Sequence, residues 1–290
     1  MPPGEAPSGK LPSGNAPSGK MPSKEVMPVT RMQFNYHTHT SRCGHALGTD
    51  REYVEAAIAA GLRQLGFADH SPMLYPEKAS GYYSASKMRP EAFEEYAGSV
   101  FSLREEYKGR LELFLGVVIE YYPECFDKTE RFLRDRGLEY MILGQHHTRN
   151  EYDRGAVFVR EPHPEEDKVL TEYTDTVVKC IESGKFLYVA HPDIARYTGD
   201  GDFYRKQALR ICEASLRHNV PLEVNLGAFR GGNRYPSPAF WKIAGEVGSP
   251  AIFGLDAHTP GEFTGIPETI DAFLKETAGF GINYVKEPLL

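Results

Sequence analysis

The sequence predicts an α/β fold in which parallel strands alternate with helices and close into a barrel. Three observations carry that expectation. From Arg31 onward, short apolar runs alternate with segments of helical periodicity, the pattern of βα units. About seven or eight such units in roughly 260 residues fit a closed barrel better than an open, doubly wound sheet. No GxGxxG or GxxxxGK[ST] loop follows any of the runs, so the dinucleotide-binding and P-loop forms of the open sheet lose support.

The elements follow in order. Residues 6–25 repeat a Pro-Ser-Gly unit (APSGK LPSGN APSGK MPSKE). Pro and Gly at that density oppose helix, and the apolar surface is too small to offset chain entropy, so residues 1–30 are expected to be a disordered tail. No apolar stretch follows its basic residues, which argues against a signal peptide. The domain is expected over residues 31–290. Strands are expected at Gln33–Tyr36, Gln64–Ala68, Leu111–Ile119, Tyr140–Leu143, Phe186–Ala190, Leu222–Val224 and Ala251–Leu255, with a last one at Ile282–Val285. Thr49-Asp-Arg-Glu52 is a capping box that opens a helix running to Gly61. Pro90 suits the first turn of a helix reaching Lys108. Further helices fit Phe126–Arg136, Glu165–Glu182, Phe203–His218, Pro238–Val247 and Pro267–Ala278, with Trp241 in the core.

Composition narrows the function. The 290-residue chain is 41% hydrophobic, enough for a sizeable core. Its 33 basic and 40 acidic residues give a formal charge of -7, which argues against a nucleic-acid partner. No run approaches the ~18 apolar residues of a membrane span. Cys43, Cys125, Cys180 and Cys212 lie far apart without a CxxC pair, as in a cytoplasmic protein with reduced thiols.

The chemistry lies in the histidines. Five expected strands end in one: Tyr36-His37-Thr38-His39, Ala68-Asp69-His70, Gly144-Gln145-His146-His147, Ala190-His191-Pro192-Asp193 and Leu255-Asp256-Ala257-His258. A βα barrel gathers those ends at one face. Residues two apart in a strand point the same way, so His37 with His39, and Asp256 with His258, can each present two donors to one centre. His45 follows in the first loop. Imidazole and carboxylate suit zinc, manganese or iron. This many donors fits two or three ions, and paired ions can activate water and neutralise a phosphoryl group in hydrolysis. His163, between prolines, and His218, beside Arg217, fall outside the pattern. Asp69 and Asp193 each flank a ligand histidine, either orienting imidazoles or capping the next helix.

In order and content, HTHT (37–40), His45, FADH (67–70), GQHH (144–147), HPD (191–193) and GLDAH (254–258) resemble the PHP superfamily of metallophosphoesterases, most of all its histidinol-phosphatases. LEVNLGAFR and GGNRYPSPAFWKIAGEVG (222–248) extend the likeness, which spans about residues 32–286. The resemblance implies a distorted (β/α)7 barrel with three metal ions, and hydrolysis of L-histidinol phosphate in histidine biosynthesis. It implies that His37, His39 and Asp256 hold one ion, His146 and His191 a second, and His45, His70 and His258 a third. Preferring His146 to His147 follows the family's GQH pattern. One departure stands out: the family's bridging glutamate on the third strand falls here at Val118, with Glu120 two residues on as the replacement ligand. The alternatives are another small phosphoester as substrate, or a weakened metal-binding relative. Asp256 and His258 are also expected to be catalytic. For clamping phosphate, Arg42, Arg89, Arg230 and Arg234 are the loop candidates, with Arg230 favoured. Asn225 is positioned to hydrogen-bond a substrate or ligand. Tyr82 and Tyr83 are expected either to pack on an imidazole substrate or to form lid packing. Oligomeric state is left open.

Overall fold

A computed structural model describes residues 31–290, and the expectation of a disordered tail lies outside them. Parallel strands alternate with helices as expected. In chain order the elements are β1 (Phe34–Asn35), α1 (Asp50–Ala59), β2 (Gln64–His70), α2 (Phe93–Glu106), β3 (Glu112–Ile119), α3 (Phe126–Arg134), β4 (Tyr140–Leu143), α4 (Glu166–Glu182), α5 (Gly201–His218), β5 (Leu222–Asn225), α6 (Leu226–Arg230), α7 (Pro238–Val247), β6 (Pro250–Gly254), α8 (Ile266–Glu276) and β7 (Asn283–Tyr284).

Local chemistry explains several boundaries. Both halves of the Thr49–Glu52 capping box form at the start of α1. Pro90 opens a short 3-10 turn, Pro90–Ala92, that leads into α2. The Asp200 side chain accepts from Phe203 N (2.8 Å) to cap α5, which ends at Asn219 in the left-handed conformation. α6 falls in a stretch the sequence analysis leaves between elements. The Asn225 side chain nucleates it by accepting from Ala228 N at 2.8 Å. Among the described residues, no helix is long and apolar enough to cross a membrane.

The strands form two parallel sheets, ordered β1-β2-β3-β4 and β5-β6-β7, curled as a partial barrel. The evenly closed seven-unit barrel is not what the pairing gives. The expected strand at Phe186–Ala190 pairs less regularly: Val189 makes isolated parallel bridges to Leu143 and Leu222, and backbone hydrogen bonds tie Leu187, Tyr188 and Ala190 to β4. The run ends after Ala190, where His191 takes φ 33° and Pro192 has no N–H to give. On the other side, a single bridge joins Thr38 to Ala257, with His39 N donating to Ala257 O (2.9 Å) and Ala257 N to His37 O (3.2 Å). That bridge sets the first and sixth strand ends side by side.

Two apolar clusters hold the fold. The larger packs sheet against helices and includes the fully buried Trp241. The smaller fills the concave face with Tyr36, Ala68, Val118, Tyr140, Ile142 and Tyr188. Tyr140 is its centre. Its hydroxyl lies 2.9 Å from Tyr36 O and 3.0 Å from Phe67 O, and its ring covers Gly116 so closely that a Cβ there would collide with it. All four cysteines are buried and free.

Candidate metal centre

The C-terminal strand ends bring together most of the expected ligands. His37 and His39 follow β1, His70 ends β2, His146 follows β4, and Asp256 and His258 follow β6. His37 Nε2 and His39 Nε2 are 3.1 Å apart, and Asp256 Oδ1 lies 3.2 Å from the first and 2.9 Å from the second. The His39 ring stacks on His258 at 4.1 Å and lies 4.5 Å from His70. His45 approaches from its loop, 4.8 Å from His258 and 5.3 Å from His70. His146 and His191 lie side by side at 4.9 Å, with His70 5.6 Å from His146 and His37 6.0 Å from His191. Two sets of three donors, His37/His39/Asp256 and His39/His70/His258, have ligand atoms all within 4.8 Å of one another. Mutually facing imidazole nitrogens and a carboxylate, with no protein cation between them, fit a divalent metal.

Electrostatics divides these groups: burial opposes the charge of His39, but Asp256 and Asp69 raise its imidazole well above the ordinary range, and Cys43 raises that of His45. Burial holds the His70 imidazole well below its ordinary range and lowers His146 to about 4, His191 to about 3 and His258 to about 4. They are therefore neutral near pH 7, the form that binds metal. Asp256 stays well below the usual carboxylate range: burial opposes this, but the adjacent His37 and His39 outweigh it. His191 and Asp256 both have positive φ, 33° and 51°, a strain of about 1–3 kcal/mol each that the surrounding fold sustains.

The rings are oriented from behind. Asp69 Oδ1 sits 3.4 Å from His39 Nδ1, and its other oxygen accepts from Thr40 Oγ1. Asp69 is thus placed to orient an imidazole. Asp193 accepts from Ser237 N at 2.5 Å, ahead of α7, and does not face His191. Its own carboxyl is pushed up to about 7 by burial. Asn225 Nδ2 donates to Asp256 Oδ2 at 3.0 Å, so it contacts a ligand carboxylate.

Glu223 is missing from the sequence reading. It is fully buried in β5, 2.7 Å from His37 Nδ1, and accepts from His191 N (3.0 Å) and Asn225 Nδ2 (3.2 Å). The signal was present: a lone glutamate in the apolar run Leu-Glu-Val-Asn. Cys43 was likewise read only as a thiol, yet its Sγ lies 4.0 Å from His45 Nε2.

Three expectations change, those for Glu120, Arg230 and Arg42. Glu120 is turned away from the imidazole cluster. Its Oε1 accepts from the buried Lys87 Nζ (2.8 Å), and its Oε2 accepts from the backbone N–H groups of His146 and His147 (2.9 Å each). Burial opposes its charge, but Lys87 and His147 hold it well below the usual range. It braces the loop that carries His146. His147 faces Glu120 (3.1 Å) and Tyr122 OH (3.3 Å), so His146 is the one directed at the cluster. Arg230 is not aimed at a substrate. It donates to Thr269 Oγ1 (3.2 and 3.0 Å) and Glu262 O (2.9 Å), fastening α6 to the segment after His258. Arg42 is held by Asp50 (2.8 Å) and Glu95 (2.6 Å).

The other loop groups sit as follows. Arg89 lies 4.0 Å over the Tyr83 ring, and Tyr82 packs on Tyr75 at 5.1 Å, an aromatic lid cluster. Arg234 is exposed, as is His218, and His163 Nδ1 accepts from Glu165 N. An unanticipated cation, the exposed Arg160, lies 5.7 Å over the Tyr235 ring, which itself packs on His191 at 6.0 Å.

Comparison with known proteins gives the family. Residues 35–226 match the PHP domain family. A relative in Deinococcus radiodurans named Probable histidinol-phosphatase is 32% identical over 230 residues, covering 78% of this chain and 86% of that one. The Histidinol-phosphatase of Bacillus subtilis is 23% identical, covering 82% and 97%. Among solved structures, the histidinol phosphate phosphatase of Lactococcus lactis, complexed with zinc, L-histidinol and phosphate, superposes with a TM-score of 0.63 at 16% identity, covering 87% and 95%. At that identity the likeness is one of fold. The chain belongs to the PHP family, as a histidinol-phosphatase-like phosphomonoesterase.

Proposed function

We propose that this enzyme hydrolyses L-histidinol phosphate to L-histidinol and phosphate with the help of divalent ions held on the histidine cluster. The convergence of His37, His39, His70, Asp256 and His258 carries the reading. The relatives' names and the substrate-derived molecules in the Lactococcus lactis structure support it. By donor type the ions are zinc, manganese or iron. His37, His39 and Asp256 would hold one, His45, His70 and His258 another, and His146 with His191 a further one. Bound there, such ions supply Lewis acidity toward the phosphoryl oxygens.

The protein's own groups prepare that chemistry. Glu223 hydrogen-bonds His37 Nδ1, which fixes that ring with Nε2 directed inward, and the Asp69 carboxylate lies 3.4 Å from His39 Nδ1. Asn225 steadies the Asp256 carboxylate. Arg160, at the rim beside Tyr235, is better placed than Arg230 to meet a phosphate dianion.

The test is phosphate release from L-histidinol phosphate by protein reconstituted with manganese or zinc, beside a panel of other small phosphoesters. Turnover of L-histidinol phosphate well above the panel is expected. Turnover of another phosphoester alone would replace the substrate. Val118 favours a second reading, a relative with weakened catalysis. Slow turnover by the wild type that Val118→Glu accelerates would favour it.

A further inference from the structure

We propose that the histidine centre is graded. The positions built on His37, His39 and Asp256 and on His45, His70 and His258 hold divalent cations with protein donors alone. The His146–His191 pair holds one only when an oxyanion, such as the phosphoryl group of the substrate, joins it. This rests on the metal-phosphatase reading above and concerns which part of the centre is permanent.

The third strand is where the ring of donors is interrupted. β2 ends in an imidazole, and β1, β4 and β6 are each followed within four residues by an imidazole or a carboxylate directed at the centre. On β3 the residue paired with His70 is Val118, a buried member of the concave apolar cluster. Its side chain borders the same space as the two imidazoles. A Cβ placed on Gly144 would run into Val118 Cγ1 while lying 3.6 Å from both His146 Cε1 and His191 Nε2. Among the described residues, every set of three or more mutually close donors leaves this pair out. Glu120 does not fill the gap. It compensates Lys87, whose ammonium is also 2.9 Å from Glu151, and both of its oxygens are engaged. Drawing Glu120 into the centre would deprive a buried ammonium of a partner.

The backs of the rings give an independent sign. A metal-binding histidine normally donates its second N–H to a fixed acceptor. His37 has Glu223 for this, at 2.7 Å, while His39 Nδ1 makes no hydrogen bond but has the Asp69 carboxylate 3.4 Å away. His191 Nδ1 is likewise buried without a hydrogen bond and, unlike His39, has no carboxylate within 4 Å among the described residues, and His146 Nδ1 has only Glu120 at 3.8 Å. Two loosely oriented imidazoles offer a cation too few ligands and no carboxylate. A phosphoryl dianion provides oxygen ligands and negative charge.

The experiment counts metal. The full chain is stripped, loaded with zinc, dialysed, and its metal per chain measured by mass spectrometry, with and without inorganic phosphate. About two ions per chain are expected without phosphate, and about one more with it. His191→Ala should leave the phosphate-free count unchanged and abolish the increment. Val118→Glu should raise the phosphate-free count by about one. Because that change puts charge into an apolar cluster, its folding is checked by circular dichroism, and His191→Ala decides the matter if it fails to fold. Three ions in the phosphate-free wild type, no increment with phosphate, or loss of a phosphate-free ion in His191→Ala would each overturn the proposal. Absence of metal under every condition would instead overturn the metal-phosphatase reading, and the proposal with it.

Discussion

Near the strand starts, the concave face of the sheet is filled by Tyr36, Tyr140, Ile142 and Tyr188; further along, the same face presents His39, His70, His146, His191 and Asp256. Both layers are mostly buried, and they are held in different ways. The lower layer is apolar apart from hydroxyls. Its tolerance is set by volume, as the Tyr140 ring over Gly116 shows. The upper layer consists of groups that burial penalises, kept in place by charge partners behind them and by strained backbone at His191 and Asp256. Packing can therefore be lost below without touching the chemistry. Chemistry can be lost above with little effect on packing.

Five substitutions test that separation, in descending order of effect. His39→Ala or Asp256→Ala should lower phosphate release from L-histidinol phosphate by at least ~100-fold, comparable to losing a main electrostatic stabiliser. The thermal midpoint should stay within a few degrees. Near-normal rates with metal still bound would refute the assignment of this layer. Glu223→Gln keeps the shape but replaces the acceptor behind His37. Metal affinity, measured by competition with a chelator, should weaken about 10- to 100-fold. An unchanged affinity would reduce Glu223 to a packing role. Gly116→Ala attacks the lower layer. It should cost about 1–3 kcal/mol in urea unfolding through overpacking against Tyr140, with turnover per folded molecule retained. A drop in turnover that exceeds the folded fraction would show the layers to be coupled. Arg230→Ala should change stability by no more than about 0.5 kcal/mol and turnover by about twofold or less. A large rise in KM would return Arg230 to the substrate.

The candidate site was more legible than the closure of the barrel. Histidines at successive strand ends can be read because alternation in a strand fixes the face and βα succession fixes the end. The Thr49 box and Pro90 were legible because a cap is formed by residues within one turn of each other. The Phe186–Ala190 run has strand composition. Its pairing depends on two distant neighbours, and it makes bridges only at Val189. Arg230 had the right residue type after the right strand, but its direction is set by α8 and the segment after His258.

By itself the sequence determined the alternation of elements, the face where the histidines gather, the metal-binding chemistry of their side chains and the absence of a carboxylate at Val118. Those depend on residue identity and on spacings of a few residues. Only the tertiary structure decided that Glu223 stands behind His37, that Lys87 holds Glu120, that His146 and not His147 faces the cluster, and that His37 and His39 meet Asp256. Each is a contact between residues distant in the chain or a choice of side-chain direction. It exists only because the Thr38–Ala257 bridge and the curl of the sheet bring those strand ends within hydrogen-bond range.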